Sequence, residues 1–128
     1  MVGEDTNDLL AIPFTRKELG QKRPANTSAA IAYKPASGEV AEIDLIIYTS
    51  VAGSGGSTLE ARIFFDADGT TYDKDSALVY DQVLDVGQWD WIVFDRPIVV
   101  TEQGSIGVRT SSSNNLNVRV FGKVRKLN

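Results

Sequence analysis

The chain has 128 residues, 42 % of them hydrophobic, with 13 basic and 17 acidic side chains and a formal charge of −4. That length fits one domain, and that apolar share is too high for a disordered chain. Cysteine and histidine are both absent, which excludes disulfides, thiolate metal sites, cysteine nucleophiles and every mechanism that needs an imidazole.

The opening stretch MVGEDTNDLLAIPF is acidic and lacks a continuous apolar run, so it does not read as a secretory leader. No run of about 18 apolar residues is present to span a bilayer. Residues 1–28 hold the basic cluster Arg16, Lys17, Lys22 and Arg23, and their apolar positions Leu9, Leu10, Ile12, Phe14 and Leu19 keep no sustained period. This segment reads as an extended N-terminal arm that packs along the domain or reaches a neighbour. Thr15–Leu19 can close a single helical turn.

From residue 29 to 128 the pattern is β. A short strand over Ala29–Lys34 ends at Pro35, and a turn containing Gly38 leads into Val40–Ser50. There Ala41, Ile43, Leu45 and Ile47 alternate with Glu42, Asp44, Ile46 and Tyr48, the period of a strand. AGSGGS at 52–57 is a flexible loop. Thr58–Asp66 alternates again, with Leu59, Ala61, Ile63 and Phe65 on one face and Glu60, Arg62 and Phe64 on the other. Asp66–Gly69 should turn the chain as a tight hairpin with Gly69 at positive φ, and Thr70–Tyr72 should start back. Leu78–Val86 is the next strand, Gly87–Gln88 a turn. Trp89–Phe94 and Ile98–Val100 flank Pro97, which cannot donate to a ladder and marks an edge or a break. Ile106–Thr110 and Leu116–Leu127 complete the set. In the last, Leu116, Val118, Val120 and Val124 share one face, and Arg119, Phe121, Lys123 and Arg125 the other. About eight short strands separated by turn residues predict a single all-β sandwich of jelly-roll type.

Three constellations bear on function. Asp66, Asp68, Asp73 and Asp75 look calcium-like, but the glycine and the closing carboxylate fall at the wrong positions for a calcium loop, so the stretch reads as a turn. Trp89 and Trp91 project from the same side of one strand. They can stack on a sugar ring, close the core, or cover a neighbouring strand or subunit. Arg119, Phe121, Lys123 and Arg125 form a basic face with one aromatic in it. Such a face can meet phosphates, yet the domain is acidic overall and the footprint is small, which favours an acidic protein surface and not nucleic acid. Residues 106–128 carry five basic side chains and no acidic one, whereas residues 39–105 carry three basic and thirteen acidic. Counter-charges for the last strand are therefore expected from another chain, a like subunit or a larger shell. No phosphate-binding loop, dinucleotide fingerprint or nucleophile elbow is present.

Over roughly residues 28–124 the order of parts resembles the small β-sandwich virion proteins of tailed bacteriophages. The likeness is carried by AIAYKPASGEVAEIDLIIYTS, then STLEARIFFDADGTTYD, then DRPIVVTEQGSIGVRTSSSNNLNVRVFGKV. It implies a non-enzymatic structural protein without cofactor or metal. It also implies a place on the virion after synthesis in the host cytoplasm, and a homotrimer that binds and stabilises the major capsid protein shell as a decoration or cement protein. A neck, tail or fibre part is the alternative within that class, and a carbohydrate-binding module using Trp89 and Trp91 is the alternative outside it. The partner-binding residues expected on this reading are Arg16, Lys17, Lys22, Arg23, Trp89, Trp91, Arg119, Phe121, Lys123 and Arg125.

Overall fold

The computed structural model describes residues 16–51 and 58–127. Within them the chain forms eight strands: β1 (Lys17–Lys22), β2 (Ala30–Tyr33), β3 (Glu39–Ser50), β4 (Leu59–Asp66), β5 (Ala77–Leu84), β6 (Trp89–Val100), β7 (Ser105–Thr110) and β8 (Leu116–Lys126), with a 3-10 helix at Lys74–Ser76. They make two four-stranded sheets, ordered β1-β8-β3-β6 and β2-β7-β4-β5, and every pairing is antiparallel. First lies beside last, second beside seventh, third beside sixth and fourth beside fifth. This nested winding is a jelly roll, so the expected sandwich is present. The glycine-rich loop at 52–57 and the arm's residues 1–15 lie outside the described residues.

The core sits between the sheets. Ile43, Ile46, Tyr48, Leu116, Val118 and Val120 from one sheet meet Leu59, Ile63, Leu84, Ile106 and Val108 from the other, all almost wholly shielded. Each such side chain contributes about 1.5–3 kcal/mol on leaving water. The alternation of β4 and β8 matches the sequence pattern. That of β3 does not hold along its length. The ladder slips by one residue between Ile43 and Leu45 against both neighbours. This bulge leaves Asp44 unmatched and inverts the faces beyond it. Ala41 and Ile43 point inward before the bulge, and Ile46, Tyr48 and Ser50 after it. Leu45 and Ile47, expected on the buried face, are instead half-buried on the outer one.

Other expectations are corrected. Lys17–Leu19 is strand and not part of a helical turn. One isolated turn pays the full nucleation cost, whereas the open side of β8 offers a ready ladder. Of the segment assigned to an arm, Lys17–Lys22 pack along the domain as an edge strand. Asp66–Tyr72 is not a hairpin. The chain crosses the sheet as a loop and enters β5 only after Lys74–Ser76, which Asp73 caps through its side chain. Positive φ is found at Gly38, Gly87, Asp81 and Asn114, and not at Gly69, because the Asp66 side chain organises this loop by accepting from the Asp68 and Thr71 amides at 3.2 and 2.7 Å. Gly87, at φ 81°, makes the expected turn into β6. Trp89–Val100 is one strand, yet the break at Pro97 is real. The ladder jumps from Val93 opposite Leu45 to Ile98 opposite Ile43, so Phe94–Pro97 bulge out of the edge.

Candidate interaction surface

The outer face of the β1-β8-β3-β6 sheet gathers six of the ten expected partner-binding side chains, Trp89, Trp91, Arg119, Phe121, Lys123 and Arg125. Alternation along β8 turns Arg119, Phe121, Lys123 and Arg125 outward together. Two of these charges find partners within the chain. Arg119 Nε donates to Glu18 Oε1 at 2.6 Å, and Arg125 Nη2 to Glu42 Oε2 at 2.8 Å. The acids thus come from the strands flanking β8, at positions remote in sequence. Both pairs are solvent-exposed and contribute roughly 0–1 kcal/mol each. The Arg119 guanidinium also lies 5.2 Å from the centre of the Phe121 ring. Lys123 stays exposed.

Register then carries this face across to β6. Phe121 lies beside Leu45 and Leu45 beside Val93; Arg119 lies beside Ile47 and Ile47 beside Trp91; Asn117 lies beside Thr49 and Thr49 beside Trp89. Trp89 and Trp91 are 56 % and 51 % exposed, with ring centroids 5.2 Å apart and planes tilted by 34°. They do not close the core. Between them Asp90 turns inward, where its carboxylate accepts from Gln82 Nε2 at 2.8 Å while Tyr48 donates to Gln82 Oε1 at 2.6 Å. Burial first, then the Asp90 charge, pushes the Tyr48 hydroxyl up to about 12.

The basic cluster of residues 16–23 is divided. Arg16 Nε lies 2.9 Å from Asp44 Oδ1, the carboxylate freed by the β3 bulge. Arg23 Nε donates to the Asn114 carbonyl. Lys17 and Lys22 stand exposed on the open edge strand β1, a placement that discourages other strands from pairing there.

The opposite outer face is covered by its own chain around Phe64, while Ile31 and Val83 stay exposed on it. Phe64 points outward there yet is 1 % exposed, because Tyr72 stacks on it with centroids 5.4 Å apart. Gly107 makes room for that ring, since a Cβ at this position would lie 2.5 Å from it. Ser105 donates to the Gly69 carbonyl at 2.7 Å, so Tyr72 donates to Ser105 Oγ at 2.6 Å. Beside this cover, Arg62 forks onto Asp81 and lies 4.1 Å from the Tyr80 ring centre. Hydrogen bonding from Arg62 holds Asp81 below the usual carboxylate range, and backbone amides do the same for Asp66.

Among the described residues no three acidic side chains converge as a metal site, and no helix is long and apolar enough to cross a membrane. Surface hollows are shallow, such as one of about 320 Å³ lined by Val40, Glu42, Lys123, Val124 and Arg125. Sequence reasoning missed Val93 and Val99, exposed at 57 % and 56 % beside the tryptophans. The available signal was that both alternating sets of Trp89–Phe94 are largely apolar, more than an edge strand with one buried face needs.

No family model matches the chain, and no curated protein matches it. Among solved structures it is similar to a chain of the Bacillus endospore appendages, which form disulfide-linked pili, at 16 % identity and TM-score 0.48, over 88 % of both chains. A chain of the T13 infectious bursal disease virus particle aligns at 8 % identity and TM-score 0.46 over 84 % of this chain and 30 % of that one. A chain of the cyanophage Pam1 capsid aligns at 14 % identity and TM-score 0.42, over 88 % and 85 %. None of these likenesses is deep enough to carry a role across.

Proposed function

We propose that the chain is a non-enzymatic structural subunit of a virion, a capsid decoration protein that binds the major capsid protein shell as a homotrimer and stabilises it. The observation that carries this reading is the uncovered apolar strip of β6, with Trp89, Trp91, Val93 and Val99 all more than half exposed, on a rigid jelly roll. Exposed strips of this kind mark interaction surfaces, and jelly rolls recur in capsid and lectin domains, an analogy of fold and not of site. Many weak contacts repeated over a symmetric lattice add up without any one being strong. Residues 1–28 would supply reach as an arm through their part before β1, and the basic side chains of β1 and β8 would orient the subunit on its acidic partners.

The test is to add the full-length protein to undecorated phage heads and follow co-sedimentation and the melting temperature of the shell. Binding with a raised shell melting temperature is expected. Failure to bind heads, with binding to neck, tail or fibre assemblies, would move the subunit elsewhere on the virion. The exposed Trp89–Trp91 pair also favours a second reading as a carbohydrate-binding module. Binding to a glycan panel that is lost in Trp91→Ala would establish that one instead.

A further inference from the structure

Opposite edges of the sandwich carry opposite charge. At one edge β1 packs over β2, and residues 16–34 that build it hold five basic side chains against the single acid Glu18. At the other edge β5 and β6 are joined through Gln82 and Asp90, and residues 73–100 hold six aspartates against Lys74 and Arg96. Contacts within the chain use up part of each set. Arg16 faces Asp44, Asp81 faces Arg62, and Glu18 faces Arg119. Lys17, Lys22 and Lys34 on one side and Asp85 and Asp95 on the other stay exposed, with no ion pair among the described residues.

The acidic edge is also the apolar one. Seven of the nine large apolar side chains exposed among the described residues fall between Tyr80 and Val99. Ile31, 44 % exposed on β2, is the one at the basic edge. Exposed apolar side chains and unpaired aspartates thus share the β5–β6 side of the molecule, and a lysine-lined surface lies on the other.

We propose that the β5–β6 edge of one copy docks against the β1–β2 edge of a second copy. Resting on the assembly reading above, this names the surfaces through which its subunits meet. Both halves of the complementary pair belong to this chain, which is what selects a second copy as the occupant. The contact is heterologous and repeats from copy to copy, closing into a ring wherever the rotation allows. A two-fold contact of either edge with itself would set like charges face to face. The contact is made by side chains and not by joining the sheets. Asp90 turned inward, the Phe94–Pro97 bulge and the lysines of β1 all interrupt a continuous ladder. A standard interface takes about 800 Å² from each partner, about a tenth of this chain's 7347 Å² of accessible surface.

The experiment is sedimentation of the full-length protein alone, without shells, from about 0.01 M to about 1 M NaCl, a range that shortens the screening length from about 30 to about 3 Å. Native protein is expected to associate at low salt and to weaken as salt rises. K17E/K22E and D85K/D95K should each weaken association by about tenfold or more. The chain carrying all four changes should regain it, and the two double variants mixed together should assemble with each other. Circular dichroism checks the folding of every variant. If a double variant is unfolded, the single changes K22E and D95K carry the test. Native protein that is monomeric throughout, or masses unchanged by either reversal, would overturn the proposal. So would association abolished by Trp91→Ala but indifferent to all charge reversals. Shell binding by a protein that stays monomeric would overturn this contact and leave the virion reading standing. Association without shell binding would do the reverse.

Discussion

Phe64 and the Trp89–Trp91 pair, on the two outer faces of the sandwich, are treated in opposite ways. Phe64 on the β2-β7-β4-β5 sheet is covered by Tyr72, which is locked to Ser105 and given room by Gly107. Trp89 and Trp91 on the other sheet are left half in water, tilted against each other. Large apolar groups exposed to solvent gain nothing for the fold, whereas the same area buried at about 25 cal/mol per Å² contributes substantially. The chain covers Phe64 with its own loop, although Ile31 and Val83 stay exposed on that sheet, and leaves the tryptophans uncovered. The difference separates a surface that serves stability from one that is free to serve contact.

Substitutions can break that contrast. The largest effect is expected from Gly107→Val. Its side chain would displace the Tyr72 ring, uncover Phe64 and free the Ser105 hydroxyl, at a cost of about 2–4 kcal/mol in urea unfolding. An unchanged midpoint would mean that the Tyr72 cover adds nothing. Next comes the buried Tyr48 hydroxyl, whose proton is held up to about 12 against 10.0 for the ordinary group. The unfolded chain loses this proton first, so the stability it supplies is complete below pH 10 and disappears as pH rises through the folded value. Melting temperature should fall across that alkaline window, and Tyr48→Phe should flatten the fall. Tyr72→Phe removes only the hydrogen bond to Ser105 and should cost about 1 kcal/mol. Trp91→Ala should be the smallest, within about 0.5 kcal/mol of native stability, while lowering assembly. A loss as large as that of Gly107→Val would place Trp91 in the fold and erase the contrast.

Much of this architecture was legible in the sequence, because strands alternate and turns demand particular residues. The outward basic face of β8 follows from period two alone, and Pro97 marks the bulge in β6. What could not be read was a ladder insertion with no proline to mark it. The bulge at Asp44 inverts β3, and the sequence hides it because Leu45 and Ile47 continue an apolar pattern on the outer face. The loop from Asp66 looked like a hairpin because Asp and Gly suit one. Its actual course depends on the Asp66 carboxylate holding the Asp68 and Thr71 amides and on Tyr72 finding Phe64 and Ser105 across the sheet. The partners of Arg119 and Arg125 were equally invisible, since Glu18 and Glu42 come beside β8 only when the sheet forms.

The chain contains two tryptophans, and both stand on the β6 edge, so intrinsic fluorescence reports on that edge without labels. The decisive measurement is tryptophan emission and acrylamide quenching of the full-length protein as it passes from monomer to assembly, with mass followed in parallel. If the uncovered edge is the contact surface, emission shifts to the blue and quenching falls in step with the rise in mass. Assembly that proceeds with emission and quenching unchanged would contradict the account.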